Sequence, residues 1–170
     1  MPSHLDALNC ALQTIDRNLV TFATLFPDDT TTNNVYLPRR PRGGQPLGSN
    51  FDWTPGFWTG MLWLAYELTG ETRYREGAER QLQSYIDRLD RKIYVNTHDL
   101  GFLYTLSCVA PWRLTGNEAA RQAAATQPTA SVHFLREPGS GSRWTARVTT
   151  APPTRSLSLS SVSASRSPRA

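Results

Sequence analysis

Two strongly apolar segments of similar build, residues 55–69 and 99–114, place the tightest limits on how this chain can fold. Each is longer than a typical strand and contains almost no charge, which predicts a helix that is buried on most of its sides. Each follows a short entrance that mixes aromatic and polar residues, Trp53-Thr54 in one case and Thr97-His98-Asp99 in the other. Each ends in the same tripeptide, Leu-Thr-Gly, and glycine is the usual residue just beyond a helix. The pattern therefore predicts a repeated helical unit with a period of about 45 residues.

The segments around these two buried helices predict amphipathic partner helices. Residues 3–26 carry apolar residues at spacings of three and four, with Ser3 and Asp6 placed as a capping box. Residues 72–89 have one apolar and one charged face, and residues 117–125 begin another segment of that kind. The alternation of buried and amphipathic helices predicts an all-α fold built from helical hairpins. Because the inner helices are so uniformly apolar, part of a closed toroid is favoured over an open solenoid.

Individual residues predict where the buried helices begin and bend. Pro55 suits the first turn of its helix, and Thr54 is the predicted N-cap. Pro111 lies inside the second apolar segment, so it predicts a kink there or the start of the last turn. Trp58 and Trp63 fall within the first buried helix and are predicted to belong to the core.

The connection over residues 27–52 is predicted to be an irregular loop, because Pro, Gly and Asn recur along it. Long irregular connections in compact domains are often functional. Arg39, Arg40 and Arg42 lie close together in this connection. They are interpreted either as a solvated basic loop, which is the favoured alternative, or as a site for an acidic ligand or another chain.

Charge and composition divide the chain into two parts. Residues 1–120 hold 11 Lys+Arg and 13 Asp+Glu, whereas residues 121–170 hold seven Arg and one acid. Since the first part is not basic, no nucleic-acid partner is predicted. Residues 1–125 are predicted to form the helical domain. Residues 126–170 lack Asp, Asn, Lys, Ile, Tyr, Met and Cys and show no sustained period, so they are predicted to be a disordered tail, and we interpret them as an out-of-frame or degenerate segment.

The sequence also bears on where the protein acts. No secretory signal is visible at the N-terminus, and no apolar run is long enough to span a bilayer, so no membrane partner is predicted. Cys10 and Cys108 lie far apart in apolar surroundings and are predicted to be buried free thiols rather than a disulfide. These features predict a cytoplasmic protein.

Two motifs carry a resemblance to a known family. They are Trp53-Thr54-Pro55-Gly56-Phe57-Trp58 and Thr97-His98-Asp99-Leu100-Gly101-Phe102. With them the chain resembles the unsaturated glucuronyl hydrolases, glycoside hydrolase family 88, over roughly residues 5–125, the first part of that family's domain. The resemblance implies an (α/α)6 toroid with a cleft at one end. It also implies removal of a 4,5-unsaturated uronic acid from the non-reducing end of lyase-generated oligosaccharides, by hydration of the vinyl ether of that sugar.

The same resemblance implies roles for three residues. Trp53 and His98 match substrate-binding residues, and Asp99 matches an Asp that assists catalysis. A second Asp, which acts as general acid and base later in the family's sequence, has no recognisable counterpart, so this chain is predicted to be a truncated and inactive fragment. No metal or other cofactor is implied.

Alternatives stay open for each residue and for the chain. Asp99 is also a good helix N-cap, His98 is also typical of a hydrogen-bonded loop, and Trp53 is by default a core residue. The chain could instead be a non-catalytic helical-repeat interaction module or an unsaturated rhamnogalacturonyl hydrolase. With few hairpins present, exposed inner helices are predicted to allow self-association.

Overall fold

The computed structural model describes residues 3–97, 99–126, 130–136 and 144–150, and most of them are helical. In chain order the elements are α1 (His4–Thr21), β1 (Pro27–Thr32), β2 (Val35–Pro38), α2 (Pro55–Thr69), α3 (Thr72–Asp90), α4 (Leu100–Tyr104), a π-helical segment π1 (Thr105–Val109), α5 (Ala110–Thr115), α6 (Glu118–Thr126), β3 (Ala130–Arg136) and β4 (Trp144–Thr150). The prediction of an all-α fold of helical hairpins is confirmed.

Helix α1 begins as predicted and ends earlier than predicted. The Ser3 hydroxyl accepts from the Asp6 amide at 3.2 Å, and the Asp6 carboxylate accepts from the Ser3 amide at 2.8 Å, which completes the capping box. The helix stops at Thr21 rather than near residue 26, and Phe22, which follows it as the C-cap, is almost fully buried. The prediction for Cys10 is wrong, since it lies on the exposed side of α1, whereas Cys108 is buried; both thiols are free.

The connection after α1 is not the irregular loop that the sequence predicts. Strands β1 and β2 pair antiparallel, and Thr32 faces Val35 across a two-residue turn. Asn33 and Asn34 form this turn with φ of 52° and 60°, the left-handed values that a type I′ hairpin requires and that Asn tolerates. The β-branched and aromatic residues on both sides of the turn favour strands.

Helices α2 and α3 form an antiparallel hairpin, and α2 has the predicted bounds. Gly70 ends α2 with a left-handed φ of 71°, as the sequence predicts. Inside the hairpin the Thr59 hydroxyl lies 2.7 Å from both the Gln81 amide oxygen and the Tyr85 hydroxyl. Gln81 in turn donates to the carbonyl of Phe22 at 2.8 Å. This buried network joins α1, α2 and α3 around one core.

Two glycines in α2 let the second buried helix approach closely. A Cβ at Gly56 would lie 2.8 Å from the Leu103 carbonyl oxygen, and a Cβ at Gly60 would lie 3.0 Å from the Leu106 Cβ. Since both contact positions advance together along the sequence, α2 and the α4–π1 segment run side by side in the same direction. Their N-terminal ends therefore lie at the same end of the molecule.

The second buried helix is interrupted as Pro111 predicts. The π-helical segment π1 directly precedes α5, in which Pro111 occupies the first turn. Proline lacks the N–H that an α-helix uses there, and a π-helical turn is one way to accommodate the loss. Gly116 ends α5 with a φ of 70°, and the Asn117 side chain caps α6 by accepting from the Ala120 amide at 3.0 Å.

The predicted disordered tail, residues 126–170, includes the two strands β3 and β4. They pair antiparallel from Ala130 with Thr150 to Arg136 with Trp144. The other tail residues after 126 lie outside the described ones, so disorder there stays a prediction. Within the part of the chain that the structure describes, no helix is both long and apolar enough to cross a membrane.

One face of α2 is more exposed than its composition predicts. Phe57, Met61, Leu64 and Leu68 recur at spacings of three and four, and each is exposed by 42% or more. These four residues form a continuous apolar stripe along the helix, here called the α2 stripe. Burial of α2 on most sides was therefore predicted correctly for the faces against α1, α3 and α4, and wrongly for this one.

Candidate active-site rim

The two entrances that the sequence singles out lie at the same end of the fold. Trp53 lies two residues before α2, and Asp99 directly precedes α4. Because α2 and α4 are parallel neighbours, the structure brings Trp53 and Asp99 to one end, here called the rim. His98 lies outside the described residues, so its predicted role stays a prediction.

Trp53 differs from the two tryptophans inside α2. Its side chain is 42% exposed, whereas Trp58 and Trp63 are 2% and 1% exposed, as the core prediction requires. The Trp53 ring packs edge-to-face against Phe57, with centroids 5.8 Å apart. An aromatic face that is supported on one edge and open to water suits stacking against a sugar ring.

The Asp99 side chain does not serve as the helix cap that the alternative reading predicts. It makes no capping hydrogen bond to α4, and the Leu103 amide donates instead to the Asp99 backbone carbonyl at 3.2 Å. The Asp99 carboxylate accepts from the Thr97 hydroxyl at 3.1 Å, and the same hydroxyl accepts from the Asp99 amide at 3.3 Å. These bonds fix the orientation of the carboxylate at the start of α4.

Asp52 shapes the other entrance through an unusual backbone conformation. It is 9% exposed and has a φ of 70°, a backbone conformation that residues other than glycine rarely adopt. Its carboxylate accepts from the Trp53 amide at 3.1 Å and from the Arg42 guanidinium at 3.1 Å. The turn that presents Trp53 is therefore stabilised by the Asp52 carboxylate, which in turn binds Arg42 of the 27–52 connection.

Arg88 has a buried guanidinium, and the sequence predicted no functional role for it. It lies near the end of α3, is 1% exposed, and donates to acceptors in both connections that lead to the rim. The donor–acceptor distances are 3.1 Å to the Asn50 side chain, 2.7 Å to the Asp52 carbonyl, 3.1 Å to the Ile93 carbonyl and 3.1 Å to the Tyr94 carbonyl. Burial lowers the pKa of Arg88, an effect that the nearby Tyr104, Tyr85 and Asp52 oppose.

Each of the three arginines of the 27–52 connection forms an ion pair, and one of them is buried rather than solvated. Arg39 is 4% exposed and lies 2.5 Å from the Asp29 carboxylate, so the solvated interpretation is wrong for it. Arg40 and Arg42 are largely exposed and pair with Asp28 and with Asp52. Sequence reasoning missed these pairs because their partners lie ten or more residues away.

Thr54 belongs to the same cluster and does not cap α2 as predicted. Its hydroxyl donates to the Asp29 carboxylate and accepts from Arg39. Burial raises the pKa of Asp29, but the hydrogen bonds from Arg39 and Thr54 and the positive charges of Arg39 and Arg42 outweigh it, so the pKa lies below its usual value. Asp29 is therefore held as a carboxylate.

A cavity of about 230 Å³ lies between the β1–β2 hairpin and the start of α2. Its lining includes Asp29, Tyr36, Thr54 and Phe57, and it lies beside the rim rather than between Trp53 and Asp99. The described residues hold no group of three or more His, Cys, Asp or Glu that could bind a metal ion. The absence of a cofactor stays a prediction.

Comparisons with known proteins agree with the sequence resemblance. No protein-family model matches the chain. An unsaturated glucuronyl hydrolase from Bacillus sp. (strain GL1) is 44% identical over 118 residues, which is 69% of this chain and 29% of that protein. An unsaturated chondroitin disaccharide hydrolase from Streptococcus pneumoniae is 35% identical over 133 residues, or 78% of this chain and 31% of that protein.

Solved structures of similar proteins show the same helical arrangement. The unsaturated glucuronyl hydrolase of Streptococcus agalactiae matches with a TM-score of 0.62 at 36% identity, over 69% of this chain and 29% of that one. The enzyme from Bacillus sp. GL1 matches with a TM-score of 0.60 at 42% identity, over 72% of this chain and 31% of that one. The chain thus spans less than one third of the length of the relatives it matches.

Proposed function

We propose that this chain, which is homologous to part of the unsaturated glucuronyl hydrolases, provides one side of a substrate cleft for an oligosaccharide ending in a 4,5-unsaturated uronic acid. In this proposal Trp53 stacks against the unsaturated sugar and Asp99 assists its hydration. The observation that supports it is the parallel packing of α2 on α4, because this packing brings an open aromatic face and an oriented carboxylate to one rim.

The chemistry explains why one carboxylate is not enough for turnover. Hydration of a vinyl ether needs a proton delivered to the double bond and a proton removed from the attacking water, and paired carboxylates with separated pKa values usually share these tasks. Asp99 can orient or activate a water molecule. The chain lacks a recognisable second catalytic Asp, so we expect it to bind the substrate without hydrolysing it.

The test pairs two tryptophans with the same exposed fraction. Trp53 and Trp112 are each 42% exposed, but Trp112 lies on α5, at the far end of the second buried helix from Asp99. Binding of a 4,5-unsaturated uronyl disaccharide is measured by isothermal titration calorimetry, whose signal does not depend on the tryptophans that are replaced, and turnover by loss of the absorbance of the double bond. Stacking of a nucleic-acid base on an aromatic ring is worth about 1–3 kcal/mol. We expect a stacked sugar ring to contribute at least about 1 kcal/mol, so Trp53→Ala is expected to weaken binding about fivefold or more.

Trp112→Ala serves as the matched control and is expected to leave binding unchanged. Equal losses in the two variants, or no binding by the unaltered chain, would contradict the proposal. Steady loss of absorbance with the unaltered chain would instead show that this chain is active by itself. A disaccharide whose unsaturated sugar is attached to rhamnose tests the rhamnogalacturonyl alternative, which requires preference for that substrate.

A second proposal, self-association, is supported by the α2 stripe. The described residues leave its four side chains exposed by 42% to 61%, and a continuous line of large apolar side chains favours contact with another apolar surface. We expect the chain to form larger species as its concentration rises, measured by size-exclusion chromatography. Met61→Lys should reduce them, whereas Val20→Lys, on the exposed face of α1, should not; equal effects of the two variants would refute the proposal.

Cytoplasmic location is proposed on the sequence alone, with the two free thiols in keeping with a reducing compartment. Cell fractionation tests it.

A further inference from the structure

Five carbonyl and amide oxygens surround the Arg88 guanidinium, and they come from two separate connections. Asn50 and Asp52 belong to the connection that ends at Trp53, while Ile93 and Tyr94 belong to the turn that leads to Asp99. Among the described residues, no carboxylate forms an ion pair with Arg88, and burying such a charge is costly because neutral dipoles replace water less effectively than an opposite charge does. A contribution to overall stability therefore does not explain why a guanidinium is buried at this position.

The backbone conformations of two of the acceptor residues, Asp52 and Tyr94, indicate what Arg88 does. Asp52 has a φ of 70° and Tyr94 a φ of 50°, conformations that cost free energy for residues other than glycine and persist only where the surroundings fix them. The carbonyl oxygens of these same two residues accept hydrogen bonds from Arg88, at 2.7 Å and 3.1 Å. The rings of Phe51 and Tyr94 also meet, with centroids 5.0 Å apart, so the two connections contact each other where Arg88 binds them.

We infer that Arg88 is a positioning residue, which holds the Trp53 and Asp99 sides of the rim in fixed register by binding both of their supporting turns. The expected effect of Arg88 on substrate binding rests on the proposed function. The expectation that Arg88 keeps both turns ordered together does not depend on that function. Lysine cannot replace the residue, because an ammonium group lacks the planar fork that reaches acceptors on both sides at once.

The test compares Arg88→Lys and Arg88→Met with Gln81→Met in the full chain. Gln81 is also 1% exposed and lies on α3, two turns before Arg88, but it bonds Thr59 and Phe22 rather than either rim connection. Hydrogen–deuterium exchange is followed by mass spectrometry over residues 50–53 and 93–97. In both Arg88 variants we expect exchange to rise about tenfold in the two segments together, the equivalent of one charged hydrogen bond.

Gln81→Met should raise exchange in these segments only as far as its overall loss of stability requires. Faster exchange in one segment alone, or the same pattern in Gln81→Met at equal stability, overturns the inference. If Arg88→Met does not fold, Arg88→Lys decides, since it keeps the charge and most of the volume.

Binding gives a second, separate readout. If the unaltered chain binds the unsaturated disaccharide, Arg88→Lys should weaken it about tenfold, and unchanged binding overturns the inference. If the unaltered chain does not bind, the proposed function fails, and the exchange measurement alone judges Arg88.

Discussion

Replacing Gly56 by Ala tests the contact that brings the two sides of the rim together. A Cβ at this position would lie 2.8 Å from the Leu103 carbonyl oxygen and 2.9 Å from the Leu103 Cα. Ordinary contact begins near 3.4 Å, so α2 and α4 must separate by about 0.6 Å. Since both obstructing atoms belong to the backbone, no side-chain rotation can relieve the overlap.

Two opposing effects set the size of the change. Alanine favours the helical conformation over glycine by up to about 1 kcal/mol, while overpacking a buried contact costs about 1–3 kcal/mol. The overlap with backbone puts Gly56→Ala toward the upper part of that range, so we expect a net loss of about 1–2 kcal/mol. For a domain of this size the loss lowers Tm by roughly 5–10 °C.

Gly101 provides a matched control at the same position of the neighbouring helix. Both glycines are the second helical residue, in α2 and in α4, but a Cβ at Gly101 would meet no atom of another described element within 4 Å. Gly101→Ala should therefore be neutral or slightly stabilising in urea unfolding and thermal melts. Equal or greater stability of Gly56→Ala would refute the parallel close packing of α2 on α4 and, with it, the shared rim.

Three further measurements test separate features. Thr59→Val removes a hydroxyl with two buried partners and should cost about 2 kcal/mol in urea unfolding; a change below 0.5 kcal/mol, roughly the scatter of surface substitutions, would show that the network is not buried. The lowered pKa of Asp29 means that its contribution is present above its unfolded-state pKa of about 4 and lost as the pH falls through the lower folded-state pKa. Asp29→Asn should therefore flatten the acid side of the Tm–pH profile, and an unaltered acid side would show that the ion pair with Arg39 adds nothing. Burial raises the pKa of Cys108 to about 11, so a thiol reagent at neutral pH should label Cys10 alone, and labelling of both thiols in the folded chain would contradict the structure.

The sequence predicted best where a local signal and burial agree. Helix α2 has the predicted bounds because Pro55 and Gly70 restrict the backbone at its two ends whatever surrounds them. The capping box of α1 is also local and is confirmed. The β1–β2 hairpin was missed because its signal, Asn33-Asn34 between strand-favouring residues, lies among prolines and glycines that predict loops.

Long-range polar contacts were the main source of error. Thr54 is a good N-cap by type, but its hydroxyl is taken by Asp29, which lies 25 residues earlier. Arg39 was predicted to be solvated because its partner, Asp29, lies ten residues earlier and gives no local signal. Arg88 did leave a signal: it falls on the α3 face defined by Tyr74, Gln81 and Tyr85, at a spacing of three after Tyr85, and a charged residue on a buried face needs partners.

The carbonyl of Phe22, at the C-cap of α1, accepts hydrogen bonds from two other helices. It accepts from the Trp58 indole at 3.1 Å as well as from the Gln81 amide at 2.8 Å, so one oxygen just past α1 serves a donor on each of the next two helices. A piece cut to begin at residue 55 would leave both donors without this acceptor. We therefore expect that the α2–α3 pair is not an autonomous unit, and a segment that keeps both hydrogen bonds must include Phe22.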